Sequence, residues 1–258
     1  MKIWVLTRKF VDLSFGKFLR FCKNSIYPQG VQTNTVLRVN SVGYHMKELA
    51  NISSAEFALE NLSAAVFFEE SLEYFGYCLK QAREKIEYKS MINPTILEFG
   101  VWKGASINRI GEYFSDTQIQ IFGFDSFEGL SENWGGTSYV KGFFDVGGKL
   151  PLVRDNTKLI KGWISDTLPN FLSSNASAME KLVLVNIDTD TFTPAKLILE
   201  SLGKYLKPGT IIMFDEFMGY PFWEKGEYEA FRQFIQNTKL SFSYVAFTHT
   251  KLAIQIEP

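Results

Sequence analysis

Six carboxylates stand where this chain could do chemistry: Glu98, Asp125, Asp188, Asp190, Asp215 and Glu216. Four of them close apolar runs: Ile96-Leu97 before Glu98, Ile119 to Phe124 before Asp125, Leu182 to Val185 shortly before Asp188, and Thr210 to Phe214 before Asp215. In an open parallel sheet the carboxyl ends of the strands gather along one edge, so Glu98, Asp125, Asp188 and Asp215 are expected to converge by topology alone. Clustered carboxylates repel and raise one another's pKa unless a cation intervenes. A hard divalent ion would remove that cost, with Asp188, Asp215 and Glu216 supplying three oxygen ligands and leaving positions for water and substrate oxygens. Helix capping, or pairing with a nearby Lys or Arg, is the ordinary alternative for one or two of them.

The first of these ends opens a glycine turn, Phe99-Gly100-Val101-Trp102-Lys103-Gly104, and a helical pattern begins at Ala105-Ser106 with Ile107, Ile110 and Phe114 on one face. Strand, glycine turn, helix, strand and acidic residue is the layout of a mononucleotide-binding half-fold. Glycine lets the backbone approach a ligand closely, and a helix N-terminus offers free N–H groups. Asp125, at the end of the second strand, is placed to accept hydrogen bonds from ribose hydroxyls. The turn lacks both the G-x-G-x-x-G spacing of dinucleotide folds and the G-x-x-x-x-G-K-[ST] of a P-loop. An acidic residue ahead of it would repel a pyrophosphate and suits a cationic, zwitterionic ligand such as S-adenosylmethionine.

With Glu98, Gly100, Gly104 and Ser106 in the pattern E-x-G-x-x-x-G-x-S, the turn resembles the first motif of the class I methyltransferases. Four further stretches sharpen the likeness: D-S-F-x-G-L (Asp125 to Leu130), G-W-x-x-D-T-L-P (Gly162 to Pro169), the D-x-D segment Asn186 to Phe192, and K-P-G to D-E-F (Lys207 to Phe217). Together they resemble the macrocin O-methyltransferase family over residues 96–235. The resemblance implies an enzyme that methylates sugar hydroxyls with S-adenosylmethionine and Mg²⁺. It puts metal ligation on Asp188, Asp215 and Glu216, and donor contacts on Glu98, Gly100, Trp102, Gly104, Ser106, Asp125, Ser126, Trp163, Ile164 and Ser165, the last three bordering the adenine. It also implies a His base in the lid region, yet residues 131–156 hold no His. Tyr139, Asp145 or Asp190 is left to take the proton, or the metal alone acidifies the hydroxyl. Asp188 and Asp190 are carried forward as the catalytic candidates.

The elements that must position these groups are read as an α/β, Rossmann-like, seven-stranded and mostly parallel sheet with an antiparallel C-terminal hairpin, plus a helical N-terminal extension. Residues 91–258 form the S-adenosylmethionine-binding domain; residues 1–90 form a basic arm and helical extension that serves as lid or oligomer contact. Within the extension, residues 25–52 lack a clear period and read as a linker. Ser53 with Glu56 forms a capping box that opens one long helical segment running to Lys89. The aromatic- and glycine-rich stretch Ser131 to Pro151 is too long for a simple connector and reads as a lid or binding loop. Asp166 is placed to cap the helix after Trp163. Ser243 to Phe247 and Lys251 to Ile256 form the hairpin around Thr248-His249-Thr250.

Composition limits the classes. With 258 residues, 46% of them hydrophobic, the chain can bury a sizeable core, and its net charge of −1 predicts no bulk attraction to nucleic acid. Cys22 and Cys78 read as ordinary thiols of a reducing compartment, and no apolar run is long enough to span a bilayer. The expected setting is the cytoplasm, with a small-molecule or glycan acceptor and a homo-oligomeric assembly. Residues 1–24 carry six basic side chains interleaved with aromatics, so peripheral membrane contact competes with packing on the chain's own domain or a second subunit. The main alternatives to sugar O-methylation are a non-catalytic or membrane-associated scaffold with a methyltransferase fold, and O-methylation of a phenolic acceptor. A nicotinamide-dependent oxidoreductase is disfavoured by the glycine spacing.

Overall fold

The computed structural model describes residues 41–258. The chain divides into two compact units, Met1–Met46 and Lys47–Pro258, and both the sheet and the site belong to the second. The basic segment 1–24, the membrane contact expected of it, and Cys22 lie outside the described residues.

Three strands are continuously apolar or nearly so, and each is buried along its whole length: β2 (Thr95–Phe99), β5 (Leu182–Ile187) and β6 (Ile211–Phe214). Burial on both faces is what a parallel strand covered by helices requires. β3 (Gln120–Asp125) and β4 (Thr157–Lys161) continue the sheet on one side of β2. On the other side β5, β6, β8 (Leu252–Ile256) and β7 (Phe242–Phe247) complete it. With β1 (Val66–Phe67) at one edge, the spatial order is β1-β7-β8-β6-β5-β2-β3-β4. Every pairing is parallel except those of β8, which runs antiparallel to both β6 and β7. The seven expected strands are therefore present, and a two-residue strand, β1 (Val66–Phe67), adds an eighth by pairing parallel to β7.

Strand alternation sorts the core into two layers. Leu97 and Phe99 face a cluster with Phe124, Leu168, Phe171, Ile198, Phe214 and Phe231, formed with α4 (Ile164–Ser174), α6 (Phe192–Leu202) and α7 (Glu227–Thr238). Ile96 faces the opposite cluster, with Tyr74, Cys78 and Leu79 of α2 (Ser71–Tyr88) and Ile107 and Ile110 of α3 (Ala105–Tyr113). The remaining helices are α1 (Val42–Asn61) and the short α5 (Ala176–Met179). Among the described residues no helix is long and apolar enough to cross a membrane.

The extension departs from its sequence reading. Residues 42–61 already form a helix, so the linker reading fails there, and the segment from Ser53 to Lys89 is two helices separated by β1. Ser53 is mid-helix and caps nothing. Its hydroxyl donates to the Ala50 carbonyl (3.2 Å) and accepts from the Trp223 indole (2.9 Å). Ser54 does the same, donating to Ala50 O (2.7 Å) and accepting from Gly219 N (2.8 Å). A hydroxyl at either position looks like a cap in sequence because back-bonding within a helix and capping use the same short side chain. Asp166 likewise caps nothing: it sits in the first turn of α4, where its charge complements the helix dipole, and accepts from Ser165 Oγ (3.0 Å).

Candidate functional site

The turn after β2 is held by its own backbone. Gly100 N donates to Phe124 O (2.9 Å) and Gly104 N to Val101 O (2.8 Å), with both glycines and Trp102 in the left-handed region. Gly100 is required twice over. Its φ is +89°, and a Cβ there would stand 1.7 Å from the Asp188 carbonyl oxygen. The turn and the chain leaving β5 therefore lie in backbone contact, secured by Asp188 N donating to Phe99 O (2.8 Å).

Asp125 is the knot of this end of the sheet. Its Oδ2 accepts from Val101 N (2.8 Å) and Trp102 N (2.7 Å), and its Oδ1 from Phe127 N (2.6 Å). Three lone pairs are thus spent on backbone, tying the glycine turn to the chain after β3. Glu98 sits beneath the turn, fully buried, and does not line the cavity above it. It lies opposite Asn186 in the β2–β5 register and accepts from Asn186 Nδ2 (3.1 Å) and Ser106 Oγ (2.9 Å). Burial pushes its carboxyl up to about 8 against the ordinary 4.5, more than those two bonds hold it down. Near neutral pH Glu98 is mostly uncharged.

Above the strand ends opens a cavity of about 700 Å³, within the range of small-molecule and cofactor sites. Gly100, Trp102, Ser106, Asp125 and Ser126 line it, as do Trp163, Ile164 and Ser165. Asp188, Asp190, Asp215 and Glu216 line it too. Of the residues singled out from sequence for the site, Glu98, Gly104 and Asp145 stand outside the lining. The lid stretch is built into the same cavity through Trp134, Tyr139 and Phe144. Tyr139 stacks on Phe143 (4.3 Å between centroids), and Phe144 meets Trp102 edge-on (5.5 Å), which joins lid to glycine turn. Gly136 packs against the Pro221 carbonyl, where a Cβ would come within 2.1 Å. Asp145 is not among the lining residues; its carboxylate accepts from Gly147 N (2.7 Å) within the lid.

The carboxylates repel as expected. Burial, then the Asp215 charge, pushes Asp190 up to about 7 and Glu216 up to about 8, and raises Asp188 well above the ordinary range. Two partners escaped the sequence reading. Lys251 donates its ammonium to Asp215. Glu227, wholly buried at the start of α7, accepts from Thr189 N (3.3 Å) and Glu216 N (3.2 Å), bracing the loops after β5 and β6 against each other. An acid at a helix start reads as a dipole partner, so nothing local marks Glu227, and Lys251 is unmarked in the hairpin.

The expected Mg²⁺ triad does not fit this arrangement. Among the described residues no group of three or more His, Cys, Asp or Glu side chains is arranged to hold a metal ion, and Asp215 is already paired with Lys251. The glycine cradle, the aromatic wall and the cavity volume do suit a nucleoside-bearing methyl donor.

A parallel sheet with its β8 reversal, a glycine turn after β2 and a carboxylate cluster at the strand ends are features the chain shares with the class I S-adenosylmethionine-dependent methyltransferases. Residues 97–217 match the family described as a methyltransferase domain, and they hold the glycine turn, Asp125 and all four cavity carboxylates. A curated relative is the 8-demethyl-8-(2,3-dimethoxy-alpha-L-rhamnosyl)-tetracenomycin-C 4'-O-methyltransferase of Streptomyces olivaceus, 25% identical over 146 residues. That match covers 47% of this chain and 52% of the relative, so it spans about half the relative's length. Among solved structures, the calicheamicin methyltransferase CalS11 superposes with a TM-score of 0.59 at 20% identity, covering 90% of this chain and 99% of that one. Its apo structure, described as a TDP-rhamnose 3'-O-methyltransferase, gives 0.50 at 19% identity over 88% and 96%. At such identities the structural likeness is one of fold.

Proposed function

We propose that this protein transfers a methyl group from S-adenosylmethionine to a hydroxyl of a sugar carried on a nucleotide or a glycosylated natural product. The observation that carries the reading is one cavity lined together by the glycine turn with Trp163–Ser165, by four clustered carboxylates and by the aromatics Trp134, Tyr139 and Phe144. The relatives whose printed names specify rhamnosyl hydroxyls support the acceptor class. Flat aromatic faces at Trp134, Tyr139 and Phe144 suit the apolar face of a deoxysugar or an attached ring.

The donor supplies an activated methyl on a sulfonium, so the protein's work is alignment, exclusion of water and removal of one proton. Trp102, Ser106 and Trp163–Ser165 hold the donor end. Asp190 is the base in this reading. It lines the cavity on the loop after β5, in a left-handed conformation (φ 62°) that Asp tolerates, and its pKa of about 7 suits proton transfer near neutrality. The hydroxyl proton goes to the Asp190 carboxylate, the oxygen takes the methyl, and the carbon–sulfur bond breaks to leave the thioether. Asp188, two residues earlier on the same loop, is held by its backbone to β2 and orients that loop.

Calorimetric titration with S-adenosylhomocysteine, followed by incubation with labelled donor and TDP-rhamnose or a rhamnosylated polyketide, tests the proposal. Asp190→Asn is expected to keep product affinity within about twofold and to lose at least 100-fold in turnover, the range for a positioned base. Undiminished turnover would remove Asp190 from the reaction. Failure of the wild type to retain S-adenosylhomocysteine would remove the reading itself.

A further inference from the structure

We infer that Lys251 is the resident cation of the carboxylate wall, standing through its bond to Asp215 where a divalent ion would otherwise balance charge. The inference rests on the strand-end cavity being the working site, and does not depend on which acceptor is methylated.

The placement follows from register. Phe214, the last residue of β6, pairs antiparallel with Leu252, the first of β8. One step outward on each strand, Asp215 and Lys251 therefore face each other. The pair is well sheltered, with side-chain exposures of 17% for Lys251 and 27% for Asp215. The turn that delivers Lys251 is fixed at both ends. Buried Thr248 accepts from Lys251 N (3.0 Å) and Thr250 N (3.2 Å) through its hydroxyl, and its own N–H donates to Lys251 O (2.9 Å). Thr250 O in turn accepts from Phe217 N (2.8 Å) and Met218 N (3.1 Å), just beyond Glu216. Lys251 is thus built into the site and is no passing surface lysine.

Its charge also reaches beyond its partner. Among the described residues it is the cation that bears on Asp188, Asp190 and Glu216 alike. A divalent ion ligated by Asp215 would sit roughly 2.0–2.6 Å from its oxygen and so beside the ammonium. Two cations at that separation repel strongly in a sheltered site. Either Lys251 leaves or the ion stays out, and the braced turn keeps Lys251 in place.

The test is a titration of Mn²⁺ into the full chain, followed by water-proton relaxation, for the wild type, Lys251→Met, Lys251→Arg and Lys251→Met with Asp215→Asn. Expected are no saturable binding below millimolar Mn²⁺ in the wild type and in Lys251→Arg, at least tenfold tighter one-to-one binding in Lys251→Met, and its loss in the double variant. S-adenosylhomocysteine affinity of the wild type should be the same with and without EDTA. Micromolar Mn²⁺ binding by the wild type that Asp215→Asn abolishes would overturn the inference, as would a folded Lys251→Met no tighter than wild type. If Lys251→Met does not fold, the wild-type and Lys251→Arg titrations decide by the same criterion. A wild type that binds neither Mn²⁺ nor S-adenosylhomocysteine leaves Lys251 as the resident cation and counts against the methyl-transfer reading alone.

Discussion

Glu98→Gln is expected to change the pH dependence of stability more than stability itself. In the folded protein the Glu98 carboxyl is pushed up to about 8 from an ordinary 4.5, with burial as the main cause. A carboxyl raised in the folded state binds its proton more tightly there than in the unfolded chain. Its contribution is fully present below about pH 4.5 and is lost as the pH rises through about 8, with a ceiling of about 5 kcal/mol over the whole window. Between roughly pH 5.5 and 8.5 the same linkage gives a loss of about 3 kcal/mol. Glutamine keeps the shape, accepts from Asn186 Nδ2 through its oxygen, and can donate to Ser106 Oγ in place of the carboxylic O–H. The variant should therefore match wild type within about 1 kcal/mol near pH 4, where a neutral hydrogen-bonded side chain replaces another. It should exceed wild type by about 1–2 kcal/mol near pH 5.5 and by about 4–5 kcal/mol near pH 8.5. Urea unfolding at several pH values reads this directly, since the midpoint moves at constant slope when stability alone changes. Parallel curves for the two proteins would refute the reasoning, showing that Glu98 ionises like an exposed acid. A wild type that loses stability relative to the variant as pH falls would refute it more deeply, because Ser106 and Asn186 would then be holding a carboxylate.

Gly100→Ala should cost at least about 3 kcal/mol and abolish S-adenosylhomocysteine binding, because it combines a strained left-handed φ with a backbone collision at Asp188 O; urea denaturation and calorimetric titration check the two halves separately. Asp125→Asn should destabilise the protein by about 1–3 kcal/mol, since an amide nitrogen would turn a donor toward N–H groups that now share two carboxylate oxygens. Donor affinity should fall with it, and an unchanged unfolding midpoint would show that Asp125 does not tie the turn.

The parts of the site legible in the sequence are those made by chain neighbours. β2, its glycine turn, α3 and β3 occupy one stretch, so periodicity, the two glycines and the terminal Asp125 locate them together. β5 and β6 declare themselves as apolar runs ending in acid. The depth of Glu98 was not legible: Ile96 and Glu98 share a strand face, but only the tertiary approach of Ser106 and Asn186 makes that face a sealed one. The break between α1 and α2 was missed because β1 is two residues long and exists by pairing with β7, some 180 residues away. Ser53 was misread for a similar reason, as its partner Trp223 is remote in sequence.

Strand direction explains why the missing cation came from where it did. Parallel strands all present their carboxyl ends to the cavity, and β3, β5 and β6 deliver acids there: Asp125, Asp188 and Asp215. β8 is reversed relative to β6, so it presents its beginning to the same edge, and the residue that precedes it arrives there instead. That residue is Lys251. A counter-charge supplied at the end of β3, β5 or β6 would have to displace one of the acids, whereas the reversed strand adds one beside them. The carboxylate wall and its ammonium are thus two consequences of one sheet topology, and exchanging Lys251 for a neutral side chain perturbs the wall without touching any residue of the glycine turn or the lid.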